Sequence, residues 1–200
     1  MHSFRELPLG YKEHLQIDLQ KNKKLALRVN VISTVIMLAM MAAGHFLMVP
    51  IWTLVIDETA PEGVSVPLNF IRPLVMLGGL LVYIVLHELT HAAAMKCFGA
   101  RKVRFGFTGL YAYAGSTTAY FDRRAYVTVG LAPMILWGIV FSVLMYTVPQ
   151  NWFWVIYFWQ IANVSGSAGD IYCSILTAKM PLGVVVKDTG VTVTFYCPKD

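Results

Sequence analysis

Long apolar runs alternate with shorter polar segments along the 200 residues of this chain. A helix needs roughly 20 apolar residues to cross the hydrocarbon core of a bilayer, which is about 30 Å thick. Four runs reach that length, and they predict transmembrane helices at about residues 29–49, 73–98, 126–148 and 152–176. We find no internal repeat and no low-complexity segment between them.

A different pattern separates the second and third runs, where glycines punctuate short β-branched and aromatic stretches over residues 100–121. This pattern favours strands and turns over helix. Residues 184–196 alternate in the same way around Asp188, Thr189 and Gly190, and they predict a hairpin that could extend the same sheet. An open sheet edge cannot face lipid, so these strands are expected at the cytoplasmic interface or against helices.

The predicted fold class is therefore membrane α-helical, with about four transmembrane helices and a small cytoplasmic-side β-hairpin or sheet insertion. We expect residues 1–200 to form a single integral membrane domain whose residues 1–28 are a cytoplasmic segment. These first residues alternate polar and apolar positions and carry several charges, so they do not resemble a secretory signal.

Composition strengthens this interpretation, because 57% of the residues are hydrophobic and only 14% are charged, outside the range of soluble proteins. The formal charge of +5 comes from basic residues in short segments between the apolar runs, not along one polar face. That arrangement indicates membrane topology and not a nucleic-acid partner. The three cysteines, Cys97, Cys173 and Cys197, are scattered, and we expect reduced thiols.

Lysine and arginine remain on the cytoplasmic side of membranes, so their positions predict the orientation of the chain. Fifteen of the sixteen fall on one side of the predicted spans: Arg5, Lys12, Lys21, Lys23, Lys24, Arg28, Lys96, Arg101, Lys102, Arg104, Arg123, Arg124, Lys179, Lys187 and Lys199. On the opposite side only Arg72 is basic, beside Asp57, Glu58 and Glu62. The sequence thus predicts a multi-pass protein of the cell membrane with both termini cytoplasmic.

The second run contains "HELTH", in which His87 and His91 stand four positions apart with Glu88 between them. On a helix the two histidines share one face, so their rings can bind one metal ion while Glu88 reaches water beside it. Histidine nitrogens suit Zn²⁺, and a carboxylate base next to the metal suits hydrolysis. Lone helical histidines are usually structural, but polar groups inside a membrane span are costly unless paired, liganded or hydrated.

A zinc site of this kind needs a third ligand, and the other acid inside the predicted spans is Asp170. His87 and His91 lie about seven to eleven residues from the cytoplasmic end of their run, and Asp170 about six to eight from the end of its own, depths that agree to roughly one helical turn. Asp170 is accordingly the expected third ligand. The alternatives are a helix N-cap and a snorkelling acid at the membrane boundary.

Four further residues are candidates for lesser roles. Asn163 could hydrogen-bond the substrate, or it could hydrogen-bond a zinc ligand and orient it. A polar contact between helices explains this residue as well. Cys173 is a less favoured alternative ligand, and His45 lies near the outer end of the first run as an interfacial histidine. Pro133 is expected to kink the third helix or to mark its first turn.

An intramembrane "HELTH", a glycine-rich insertion, a span with "LAP" and a later span with Asn163 and a Gly-Asp pair resemble the zincin peptidase family of bacterial membrane proteins. More distantly the chain is similar to site-2 proteases. The resemblance covers about residues 86–170. The resemblance implies His87, His91 and Asp170 as zinc ligands and Glu88 as the catalytic base. Unlike typical site-2 proteases, the chain has no proline after the asparagine, its glycine precedes the aspartate, and no PDZ-like insertion is present.

We therefore expect a membrane-embedded zinc metalloprotease that acts on a membrane protein or peptide substrate within the lipid bilayer or beside it. The strands between residues 100 and 121 could hold that substrate as an added strand. The alternative is a zinc-binding membrane protein without hydrolytic activity, such as a metal handler or an assembly factor. A transporter is a third possibility, with little sign of the inverted repeats that transporters contain.

Overall fold

The computed structural model describes residues 3–56, 68–109 and 111–199, so the acidic loop residues Asp57, Glu58 and Glu62 lie outside the described part. The helices in these ranges are α1 (Lys23–Ala43), α2 (Ile71–Cys97), α3 (Arg123–Thr147), α4 (Phe153–Gly166) and α5 (Ala168–Lys179). The strands are β1 (Ser3–Phe4), β2 (Tyr11–Asp18), β3 (Arg104–Phe107), β4 (Ala112–Gly115), β5 (Tyr120–Asp122), β6 (Val185–Asp188) and β7 (Thr192–Pro198).

Three helices are long and apolar enough to cross a membrane. They are α1 with the π-helical turn that follows it (Lys23–Met48, 26 residues), α2 (27 residues) and α3 (25 residues). At about 1.5 Å per residue each exceeds the roughly 30 Å of a bilayer core. Large apolar side chains such as Val35, Leu81 and Ile139 are exposed on their outward faces, as expected for contact with lipid. Helices thus occupy the regions of the first three predicted spans, and α1 begins six residues before the predicted start at residue 29.

The fourth predicted helix is two helices, α4 and α5, which meet at Ser167. The backbone of Ser167 has φ −78° and ψ 8°, which interrupts the helix. Its hydroxyl donates to the Asn163 carbonyl at 2.7 Å, and the Ser165 hydroxyl donates to the Ile161 carbonyl at 2.8 Å. Glycines 166 and 169 flank the break, and both glycine and such back-bonding serines weaken a helix.

Helix α3 begins at an N-cap, Asp122, whose carboxylate accepts a hydrogen bond from the Ala125 N–H at 2.7 Å. Pro133 therefore lies in the helix interior, and the alternative that places it in the first turn is wrong. Helix α4 packs against α1, α2 and α3, so it occupies the centre of the bundle.

Five strands form an antiparallel sheet in the order β1-β5-β6-β7-β2. Strand β2 pairs with β7 from the Tyr11–Pro198 pair to the Asp18–Thr192 pair. The N-terminal segment therefore completes a sheet that the sequence analysis did not predict there. Strands β3 and β4 form a separate two-stranded sheet.

The five-stranded sheet covers one end of the helices, called here the sheet end. Phe121 and Phe195 are fully buried there, in one hydrophobic cluster with Met95 of α2, Val129 of α3 and Cys173 of α5. The sheet thus holds together the ends of the three helices that carry the polar residues described next.

Candidate metal centre

Two helices bring three potential ligands together inside the bundle. His87 and His91 are one turn apart on α2, and Asp170 lies in the first turn of α5, just after the break at Ser167. Each histidine Nε2 atom is 3.5 Å from Asp170 Oδ2. A ligand atom from each of the three residues lies within 4.8 Å of the other two.

This donor set fits a zinc ion. Bonds of about 2.0–2.1 Å in a tetrahedron place neighbouring ligand atoms roughly 3.3–3.4 Å apart, close to the observed 3.5 Å between histidine and aspartate atoms. Three protein ligands also leave one tetrahedral position for water or substrate. The side chains of His87 and His91 are 13% and 10% exposed and that of Asp170 is 32% exposed, so the aspartate is the most exposed of the three candidate ligands.

The ring of His91 is fixed by the main chain of α3. Its Nδ1 atom is 3.0 Å from the Val129 carbonyl oxygen, and both residues are buried. A carbonyl can only accept a hydrogen bond, so the proton lies on Nδ1. Nε2 is therefore the ring nitrogen that is available to bind a metal beside Asp170.

The ring of His87 is fixed by side chains. Its Nδ1 atom is 2.9 Å from the Tyr83 hydroxyl, and that hydroxyl donates to Asn163 Oδ1 at 2.8 Å. Because the single hydroxyl proton is used on Asn163, the tyrosine oxygen accepts from Nδ1–H of His87. Asn163 Nδ2 in turn donates to the Met134 carbonyl at 2.9 Å, which fixes the orientation of the amide.

Asn163 is fully buried, so the structure places it behind His87 and not on a surface open to substrate. Tyr83, the bridge between them, was missed by the sequence analysis. Its signal is the spacing: Tyr83, His87 and His91 follow one another at intervals of four along the same face of α2.

Glu88 lies beside the three candidate ligands and against strand β4. Its carboxylate lies close to the backbone of Ala114 and interacts electrostatically with His87, His91 and Asp170. In the part of the chain that the structure describes, β4 pairs with β3 alone, and it packs against α2. The glycine-rich insertion thus reaches the motif directly.

The turn between β6 and β7 supports this strand. The Ser116 N–H donates to the Asp188 carbonyl at 2.8 Å, and the Asp188 carboxylate accepts from the Tyr126 hydroxyl of α3 at 3.2 Å. Burial raises the pKa of Asp188 to about 6, so the group is anionic at neutral pH. Its charge acts on His91 and Asp170 and favours a bound cation between them.

The remaining candidates lie outside the ligand group. Cys173, one turn beyond Asp170, is buried against the Tyr126 hydroxyl. Cys97 and Cys197 are free thiols. His45 lies at the end of the bundle opposite the sheet, where its Nδ1 atom accepts a hydrogen bond from the Ile51 N–H at 3.0 Å.

A His–His–Asp group with an adjacent glutamate is an arrangement typical of metallopeptidases, and the three long apolar helices around it are compatible with a membrane protein. A family model described as "Putative zincin peptidase" matches residues 80–185, from α2 to the start of β6, and includes all of these residues. The chain belongs to this family, and zincins are zinc peptidases. Searches of the curated proteins and of the solved structures gave no match.

Proposed function

We propose that this protein is a membrane-embedded zinc metallopeptidase, similar to site-2 proteases, that hydrolyses peptide bonds inside the bilayer or next to it. The observation that carries the proposal is the convergence of His87, His91 and Asp170 beside Glu88 within apolar helices. Such a group is costly in lipid unless a metal or water stabilises it. The proposed reaction uses both.

The proposed topology has four crossings and both termini in the cytoplasm. Strand β2 precedes α1 and β7 follows α5, yet the two strands are neighbours in one sheet. The chain between them must therefore cross the membrane an even number of times. Helices α1, α2 and α3 account for three crossings, so α4 and α5 together supply the fourth. The concentration of lysine and arginine at the sheet end supports a cytoplasmic location for that end.

The proposed substrate is a membrane protein or peptide that lies extended along the free edge of β4. Strand addition supplies main-chain hydrogen bonds without sequence preference, and it would place a substrate peptide bond next to Glu88. The opposite strand, β3, exposes Phe105 and Phe107, which are 53% and 73% exposed. These rings suit the lipid bilayer, which we propose as the surroundings of the hairpin.

Each residue of the site has a role in this reaction. His87, His91 and Asp170 would hold zinc, which when bound supplies Lewis-acid activation of water and of the substrate carbonyl. Glu88 takes a proton from the attacking water on its carboxylate and delivers it to the leaving amine nitrogen. The Glu88 carboxylate lies against strand β4, and the surrounding helices largely enclose the side chains of His87 and His91.

The test compares purified wild type with Glu88→Gln in detergent, using the solubilised membrane proteome of the expression host as substrate. We expect both proteins to contain about one zinc per chain. Loss of a general base lowers the rate about 10²–10⁴-fold, so new peptide N-termini detected by mass spectrometry should appear with wild type only. Equal cleavage by the variant would exclude Glu88 as the base. Zinc-loaded wild type that yields no new termini would favour the non-hydrolytic alternative.

A further inference from the structure

Pro133 interrupts the hydrogen bonding of α3 next to the metal centre. In an unbroken α-helix the N–H of each residue bonds the carbonyl four residues earlier. Proline has no N–H, and its ring pushes against that same carbonyl. The carbonyl that Pro133 leaves without its helical donor belongs to Val129.

The Val129 carbonyl is the acceptor that fixes His91. The His91 Nδ1–H reaches it at 3.0 Å from the neighbouring helix, and both residues are buried away from water. In a regular helix this oxygen would already accept the N–H of residue 133 along the helix axis. The oxygen that Pro133 leaves without a helical N–H donor is therefore the same oxygen that holds His91.

We propose that Pro133 is a positioning residue of the metal centre. Because Pro133 has no N–H, the Val129 carbonyl stays available to His91. The proline ring also favours tilting of that carbonyl out of the helix. This inference rests on the proposed function, because it assigns His91 Nε2 to zinc. It explains the "LAP" sequence of the third span, which the proposed reaction does not otherwise use.

The test replaces Pro133 with alanine and measures two quantities. Zinc affinity, obtained by competition with a chromogenic chelator, should fall about 10–100-fold, because the alanine N–H competes with His91 for the Val129 carbonyl and support of this kind is worth that much. The melting temperature of the zinc-free protein should stay the same or rise, because alanine favours a helix interior and proline does not. A purely structural role predicts that affinity and stability fall together.

A second variant separates the N–H from helix stability. Pro133→Gly restores the same N–H but favours the helix less than alanine does. We expect both variants to lose zinc affinity equally, although the glycine variant melts at a lower temperature. Ser142→Ala is the control, because Ser142 is exposed on the same helix and its hydroxyl bonds only the Gly138 carbonyl of its own turn. Its zinc affinity should equal that of wild type.

Isotope-labelled histidine provides a readout that needs no metal. In the zinc-free Pro133 variants the Nδ1–H resonance of His91 should move and exchange faster with solvent, while that of His87 should not. Unchanged zinc affinity in both variants would overturn the inference, as would affinity that follows melting temperature. A wrong assignment of the zinc site looks different, because His91→Ala would then bind as much zinc as wild type. If only the peptidase activity is absent, His91→Ala still loses zinc and the affinities of the Pro133 variants still test the inference.

Discussion

The two histidines of the motif are one turn apart on the same helix, yet the regions that hydrogen-bond their Nδ1 atoms differ. His91 is held by a main-chain carbonyl, that of Val129, whereas His87 is held by a relay of two side chains, Tyr83 and Asn163. A main-chain acceptor survives any side-chain substitution at its own position. The relay joins α2, α4 and α3, and a single substitution can break it.

Packing of the neighbouring helices explains the difference. Helix α3 approaches the site at Gly130, where an added Cβ atom would be 2.9 Å from the Ser174 hydroxyl of α5. The adjacent Val129 carbonyl is the acceptor of His91. On the side of His87 the partner is Asn163 of α4, and the phenol of Tyr83 spans the distance to it.

The largest expected effect comes from the ligand that both histidines share. Asp170→Ala should reduce bound zinc from about one per chain to nearly none, because two histidines alone are an incomplete site. Elemental analysis after gel filtration measures the ratio. Cys173→Ala is the control, since Cys173 is buried one turn further along the same helix and lies outside the ligand group. Zinc that persists without Asp170 but disappears without Cys173 would identify the thiol as the ligand.

A smaller but still large effect is expected when the relay behind His87 is cut. Asn163→Ala leaves the Tyr83 hydroxyl and the Met134 carbonyl without their partner in a buried place, so we expect about 1–3 kcal/mol lower stability. Zinc affinity should fall about 10–100-fold because His87 loses its orientation. Gln160→Ala, one turn earlier on α4, removes an amide outside the relay and should leave the affinity unchanged. If both variants bind zinc like wild type, the relay does not support His87.

Tyr83→Phe tests whether the two regions are independent. The ring remains, but Nδ1 of His87 and Oδ1 of Asn163 lose the hydroxyl between them. We expect about tenfold weaker zinc binding, near the lower limit for lost support of a ligand. Histidine NMR should show a change at His87 and none at His91. Equal changes at both rings would mean that the two supports are coupled.

Much of the metal centre could be predicted because its side chains are chemically unusual for their surroundings. The spacing of His87, Glu88 and His91 indicates one helical face, and Asp170 stands out as another acid in an apolar run. The Val129 carbonyl could not be predicted in this way, since every residue has such an oxygen. Only the proline four residues later indicates that this carbonyl lacks its helical donor. That indication can be interpreted only once α2 and α3 are known to lie side by side.

The fold was predictable to a similar extent. Runs of about 20 apolar residues located α1, α2 and α3, because length and hydropathy alone decide whether a helix can span a bilayer. The break between α4 and α5 depends on two serine hydroxyls that bond their own helix, which hydropathy does not register. The N-terminal strand β2 depends on pairing with β7, about 180 residues away in the chain. Such non-local pairing leaves only a weak local signal.

The smallest expected effect concerns the contact that brings α3 close to His91. In Gly130→Ala the new methyl group meets the Ser174 hydroxyl, which must rotate or push α3 away by a few tenths of an ångström. The gain in helix propensity, about 1 kcal/mol, offsets much of this strain, so stability should change little. Zinc affinity should fall a few-fold, and histidine NMR should show the change at His91, because Val129 moves with its neighbour Gly130.

Gly78→Ala is the control for this substitution. Gly78 has open space around it on α2, so the variant should gain stability at constant zinc affinity. A response of His87 to Gly130→Ala, with His91 unchanged, would mean that the close approach of α3 does not serve the main-chain support.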